Sequence, residues 1–197
     1  MRRPNRDPEH LEVLQDYFAQ NRRIPTYQRI AELLGFASRA AAVKFMARLE
    51  AEGFVERTPD DDAWIAARRF FERPLAQASV RAGAPTLAVD VVSEPFLADE
   101  YLVRKPSSTV VIPVRGDSMI EAGIFDGDLA VVERRESAKL GAFVVASVDN
   151  EFTLKELVRV DGKHALKPHN SRYPLIRPEG EWRIFGVMVG LIRRYPS

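Results

Sequence analysis

From Asp7 to Gly53 the apolar residues recur at helical spacing, and capping residues divide them into three helices. Leu11, Leu14 and Phe18 form the stripe of the first, which Asp7 is placed to cap with Pro8 at the first helical position. Thr26 opens the second, with Ile30, Leu33 and Leu34 on its inner face and Gly35 as its stop. Ser38 opens the third, whose stripe is Ala42, Phe45, Met46 and Leu49 and whose end is Gly53. Two short strand-like runs come next, Phe54 to Arg57 and Ala63 to Ala66, around the turn-forming Pro59-Asp60-Asp61-Asp62. Helices followed by a hairpin in this order make a winged-helix plan.

Past Arg68 the helical period fades into a run of small residues from Ala76 to Ala84. Beyond it come short apolar runs and period-two stretches: Val110 to Val114, Leu129 to Glu133, Phe143 to Val148, Phe152 to Val158 and Trp182 to Val189. Turn signals such as Asp126-Gly127-Asp128, Asp161-Gly162 and Pro178-Glu179-Gly180 separate them. The expected fold class is α+β with two domains: a winged helix-turn-helix over 1–68, a linker over 69–85 and a mostly-β domain over 86–197. The last segment, of about 110 residues, is long enough to bury its own core.

Composition removes several function classes. Without cysteine there is no disulfide, thiolate nucleophile or Cys-ligated metal. No apolar run approaches the roughly 18 residues of a membrane span, and the basic N-terminus leads into polar Asp7-Pro8-Glu9-His10 rather than a signal-peptide core. A cytoplasmic protein with no membrane partner, no metal and no cofactor is expected. The 29 basic and 28 acidic residues nearly cancel, so DNA binding has to come from local placement of charge. Among the basic residues 6 are Lys and 23 Arg, which makes the position of any one Lys informative.

Gly35-Phe36-Ala37 joins the second and third helices tightly, as in a helix-turn-helix, whose second helix enters the major groove. The residues presented there are Ser38, Arg39, Ala41, Lys44 and, a turn later, Arg48. Arg39 suits guanine, while Ser38 and the helix amides suit a phosphate. A helical bundle whose charges face water fits the same pattern, and the acidic Asp60, Asp61 and Asp62 at the wing tip should repel phosphates. In the second half, Val114-Arg115-Gly116-Asp117-Ser118-Met119 reads as a strand running into a glycine turn that exposes a serine ahead of a helix start. An ordinary structural turn has the same spelling. The histidines His10, His164 and His169 show no partnered carboxylate, so a His base has no candidate. Lys155, in the strand-like Phe152-Thr153-Leu154-Lys155-Glu156-Leu157-Val158, could serve if burial keeps it neutral; Arg could not, and a solvated strand lysine is the plain alternative.

Taken together these segments resemble the LexA-type repressors, the self-cleaving Ser-Lys family that also includes UmuD-like proteins and lambda-type phage repressors. Ile24-Pro25-Thr26 with Ile30-Ala31-Glu32-Leu33-Leu34-Gly35-Phe36 is similar to the family's helix-turn-helix. Val114 to Met119 with Gly123-Ile124-Phe125-Asp126-Gly127-Asp128-Leu129 is similar to its nucleophile region, and Phe152-Thr153-Leu154-Lys155 to its base strand. Val80-Arg81-Ala82-Gly83-Ala84-Pro85 is similar to its cleavage loop. The resemblance implies Ser118 as nucleophile, Lys155 as general base, Ala82-Gly83 as the scissile bond and the amides near Asp117 and Ser118 as the oxyanion hole. It also implies a homodimer on palindromic double-stranded operator DNA, a RecA filament on single-stranded DNA as the trigger, and control of the DNA-damage (SOS) response. A phage or mobile-element repressor with the same switch and a UmuD-like polymerase accessory are the other members such a sequence could represent; the winged helix speaks against the accessory.

Overall fold

The computed structural model describes residues 5–76 and 93–196, which fall into two compact units, Met1–Leu97 and Ala98–Ser197. In the first, α1 (Asp7–Asn21), α2 (Tyr27–Leu34) and α3 (Arg39–Ala51) bury the expected stripes: Leu14, Ile30, Ala42, Phe45, Met46 and Leu49 form one core. The Thr26 hydroxyl accepts the Arg29 amide and the Ser38 hydroxyl the Ala41 amide, so both sequence-predicted caps close their helices. Gly35 ends α2 in the left-handed region at φ +67°. Asp7 is not the cap of α1. It lies inside the first turn, its own amide is taken by Asn5 Oδ1, and its carboxylate instead holds the Arg48 guanidinium at 2.6 and 2.7 Å, tying α1 to α3.

The wing is the antiparallel pair β1 (Val55–Arg57) and β2 (Trp64–Ala66). Contacts divide the chain later than residue 68, where the fading period places the end of the winged helix. A 3-10 turn over Arg68–Phe71 drives Phe70 into the helical core, and β3 (Arg73–Ala76) pairs with β4 (Ser93–Phe96), so the division between units falls after Leu97. One aromatic side chain in an Arg-rich run is too little periodicity to reveal this.

The second unit opens with the short helix α4 (Ala98–Leu102) and is otherwise an antiparallel six-stranded sheet. Its strands are β5 (Thr109–Pro113), β6 (Leu129–Arg134), β7 (Phe143–Val148), β8 (Glu151–Val160), β9 (Lys163–Lys167) and β10 (Trp182–Ile192), in spatial order β5-β6-β10-β7-β8-β9. Val144, Ala146, Leu157 and Leu166 make one cluster; Ala130, Val132 and Val145 make another. With apolar residues wanted on both faces, the central strands read as continuous runs rather than as alternation. Asp149-Asn150 and Asp161-Gly162, all at positive φ, turn β7 into β8 and β8 into β9. In β10, Gly186 lies so close to β6 that a Cβ would stand 2.6 Å from Val132 Cγ1 and 2.7 Å from the Glu133 carbonyl, and on the other side the ladder with β7 slips register between Ile184 and Gly186.

Candidate active site and nucleic-acid face

β5 and β6 bracket the turn that carries Ser118. The Val114 amide bonds the Asp128 carbonyl at 2.8 Å and the Gly127 amide the Val114 carbonyl at 3.0 Å, so the chain leaves β5 in a fixed direction. Gly116, at φ +86°, makes the reversal, and its amide is held by Asp126 Oδ1 at 2.7 Å. Asp128 is buried: it accepts the Phe125 amide and both arms of Arg193, which keeps its carboxyl below the usual carboxylate range. Met119 and Ile124 anchor the far side of the turn in the interior. After Ser118 the chain makes a single 3-10 turn, Ile120–Ala122, rather than the helix expected from the sequence.

Lys155 reaches the same place from β8. It is only 6% exposed, and Nζ lies 2.8 Å from Ser118 Oγ, 2.8 Å from Thr153 Oγ1 and 2.9 Å from the Leu154 carbonyl. All three partners are neutral oxygens, and burial pushes the amine below the ordinary lysine value. The pair lines a cleft of about 270 Å³ whose walls include Pro113, Gly116, Met119, Val145, Phe152 and Leu154. Ala82 and Gly83 lie outside the described residues.

Sequence reasoning missed the segment after β9, which packs against the serine turn. The His169 amide donates to the Ser118 carbonyl at 2.8 Å and Asn170 Nδ2 to the Asp117 carbonyl at 3.0 Å. Tyr173 Oη donates to Asp117 Oδ1 at 2.5 Å, and Arg172 pairs with Asp117 Oδ2; the tyrosine's hydrogen bond is the chief cause holding that carboxyl down. Pro-His-Asn-Ser reads in the sequence as a plain loop, because its partners lie some fifty residues away. His169 also corrects an expectation: it does have a carboxylate partner, Glu156 Oε2, at 2.7 Å from its Nε2. Ser118 Oγ nonetheless has its hydrogen bond with Lys155, not with that ring.

On the first unit, Ser38, Arg39 and Lys44 are exposed at the start of α3 and Ala41 is half-buried, while Ala42 faces inward. The Arg39 guanidinium lies 5.9 Å from the Tyr27 ring centroid. Arg48, expected among the presented cations, is exposed and is also held bidentately by Asp7. At the wing tip, Asp61 bonds the Thr58 hydroxyl and the Ala63 amide, and Asp62 pairs with Arg57 at 2.5 Å. Arg57 also stacks on Trp64 and donates to Tyr27 Oη. Asp61 thus meets neutral donors and keeps its charge, while the Asp62–Arg57 pair offsets part of the repulsion that the three carboxylates suggest. Among the described residues no group of His, Asp and Glu could hold a metal ion, and no helix is long and apolar enough to cross a membrane.

Comparison with known proteins covers both units. Residues 4–62 match the model of the LexA DNA binding domain, and residues 74–189 match the Peptidase S24-like model. The chain is 37% identical over 193 residues to LexA repressor 2 of Pseudomonas putida, covering 93% of this chain and 94% of the relative. It is 38% identical over 197 residues to the LexA repressor of Opitutus terrae, covering 94% and 97%. With the LexA repressor of Clostridium novyi it shares 29% identity over 197 residues, at 95% coverage of each.

Proposed function

The chain belongs to the LexA family of repressors, and from that premise we propose that it represses operator DNA as a dimer and is inactivated by cutting its own chain between Ala82 and Gly83. The observation that carries this reading is the buried 2.8 Å contact between Lys155 Nζ and Ser118 Oγ. A neutral amine has two N–H donors and one lone pair. The Leu154 carbonyl can only accept; with Thr153 Oγ1 accepting the second N–H, the lone pair is left for the Ser118 hydroxyl in this reading. As ammonium the same nitrogen would donate to all three oxygens and leave the serine unactivated.

In the proposed reaction Lys155 takes the proton of Ser118 as Oγ attacks the Ala82 carbonyl carbon. The oxygen of the tetrahedral intermediate is met by the amides near Asp117 and Ser118, and Lys155 returns the proton to the departing Gly83 nitrogen. Water, activated by the same lysine, then releases residues 1–82 from the serine ester. Because bond and nucleophile share one chain, their effective concentration is very high, and restraint requires keeping the loop out or Lys155 charged. A RecA filament on single-stranded DNA supplies the trigger in this reading, and damage-responsive genes are the targets.

Ser38, Arg39, Ala41 and Lys44 form the proposed DNA face; Arg48, bound to Asp7, is better assigned to holding the helices. The test is to incubate the operator-bound protein with RecA, nucleotide and single-stranded DNA, then weigh the fragments and follow operator release. Fragments 1–82 and 83–197 with loss of binding are expected. A dominant cut elsewhere, or an intact chain under these conditions, would refute the assignment, and Gly83→Asp should block the reaction.

A further inference from the structure

The serine turn is gripped by a loop that neither the base nor the nucleophile accounts for. Asn170 is 6% exposed and spends both ends of its amide: Nδ2 donates to the Asp117 carbonyl at 3.0 Å, and Oδ1 accepts the Arg172 amide at 3.0 Å. The adjoining His169 amide holds the Ser118 carbonyl at 2.8 Å. Glu121 stitches the loop back to the far side of the turn, its amide donating to the His169 carbonyl at 2.8 Å and its Oε1 accepting the Ser171 amide at 3.0 Å. From this geometry we propose that Asn170 is a positioning residue for self-cleavage, which aims the Ser118 amide as an oxyanion donor by fixing the Asp117 carbonyl.

A trans peptide unit is planar, with its N–H pointing opposite to its C=O. Holding the Asp117 carbonyl from the loop side therefore turns the Ser118 N–H away from the loop, and holding the Ser118 carbonyl does the same for the Met119 N–H. Without that grip the turn would be soft, because it pivots on Gly116 at φ +86°. A donor already oriented needs no reorganisation when negative charge develops, which is where such groups gain their effect. Asn suits the position because one planar group supplies both a donor and an acceptor; an ionised Asp would only accept, and would set its negative charge against the partial negative charge of the Asp117 carbonyl oxygen.

This role depends on Ser118 being the nucleophile. The test follows self-cleavage of the full chain without partner at alkaline pH, comparing wild type, Asn170→Ala and the near-isosteric Asn170→Asp, with Ser118→Ala as the blank. Both Asn170 variants should lower the plateau rate at least tenfold; Asn170→Ala, which adds no charge near Lys155, should leave the midpoint of the pH profile in place. A rate within twofold of wild type would overturn the proposal. So would a shifted midpoint in Asn170→Ala, which would make Asn170 act through Lys155, or loss of cooperative melting in both variants, which would make it a residue of the fold. A wild-type chain that never cleaves would strike at the Ser118–Lys155 reading itself.

Discussion

In the proposed mechanism Lys155 has to shed a proton before it can take one, and its burial also ties stability to pH. Its folded pKa lies below the ordinary value of 10.5, so between the two values the unfolded chain binds more protons and the folded state gains stability as pH rises. Lys155→Met should abolish that gain, measured as the difference between the two proteins' denaturant midpoints across the alkaline range. A constant difference would mean that the amine is not desolvated. Asp7 runs in the same sense, but in the acid range. Arg48 holds its carboxyl below the usual range, so its stabilising effect is present above the unfolded value and is lost as pH falls through the folded one. Because Arg48 is half exposed, Asp7→Ala should cost only about 1 kcal/mol in urea melts of the first unit, and less toward acid pH.

At the scale of elements, the strand β10 sets the tightest constraint. Gly186→Ala would press a methyl group against the backbone of Glu133 as well as Val132, so it should lower the stability of the second unit by about 1–3 kcal/mol; thermal melting reads this, and an unchanged midpoint would show that the sheet can spread. On α3, Arg39→Ala should weaken specific operator binding by about 1–3 kcal/mol if the side chain reads a base, and binding to random DNA much less. Equal loss on both would make it a phosphate contact. The helices and the long strands were legible because their caps and apolar periods are local: Thr26, Ser38 and the stripe from Ala42 to Leu49 all stand where the sequence puts them. Lys155 was legible as a candidate, since a lysine flanked by apolar strand residues in an Arg-rich chain is conspicuous, but its pairing with Ser118 came from the resemblance to the family rather than from the local pattern. What escaped was non-local. The Asp7–Arg48 pair spans 41 positions and the Asn170–Asp117 bond 53, so no spacing rule reports them. β9 escaped too, its buried residues being only Ala165 and Leu166.

At the scale of the whole molecule, the proposed cut between Ala82 and Gly83 would uncouple the two half-site contacts of the proposed dimer, so operator affinity should fall steeply when the chain is cut. Footprinting on an inverted repeat with half-sites about 34 Å apart, or a related interval, should show protection by intact protein and none by the fragment 1–82 at the same concentration. The Ser118–Lys155 mechanism is tested most directly by partner-free cleavage of the intact chain as a function of pH, read by fragment mass, for wild type, Ser118→Ala and Lys155→Ala. Fragments 1–82 and 83–197 should come from wild type alone, at a rate that rises about tenfold per pH unit until Lys155 is neutral. Cleavage by Lys155→Ala at the wild-type rate, or a profile already level near pH ~6.5 as a histidine base would give, would contradict the mechanism.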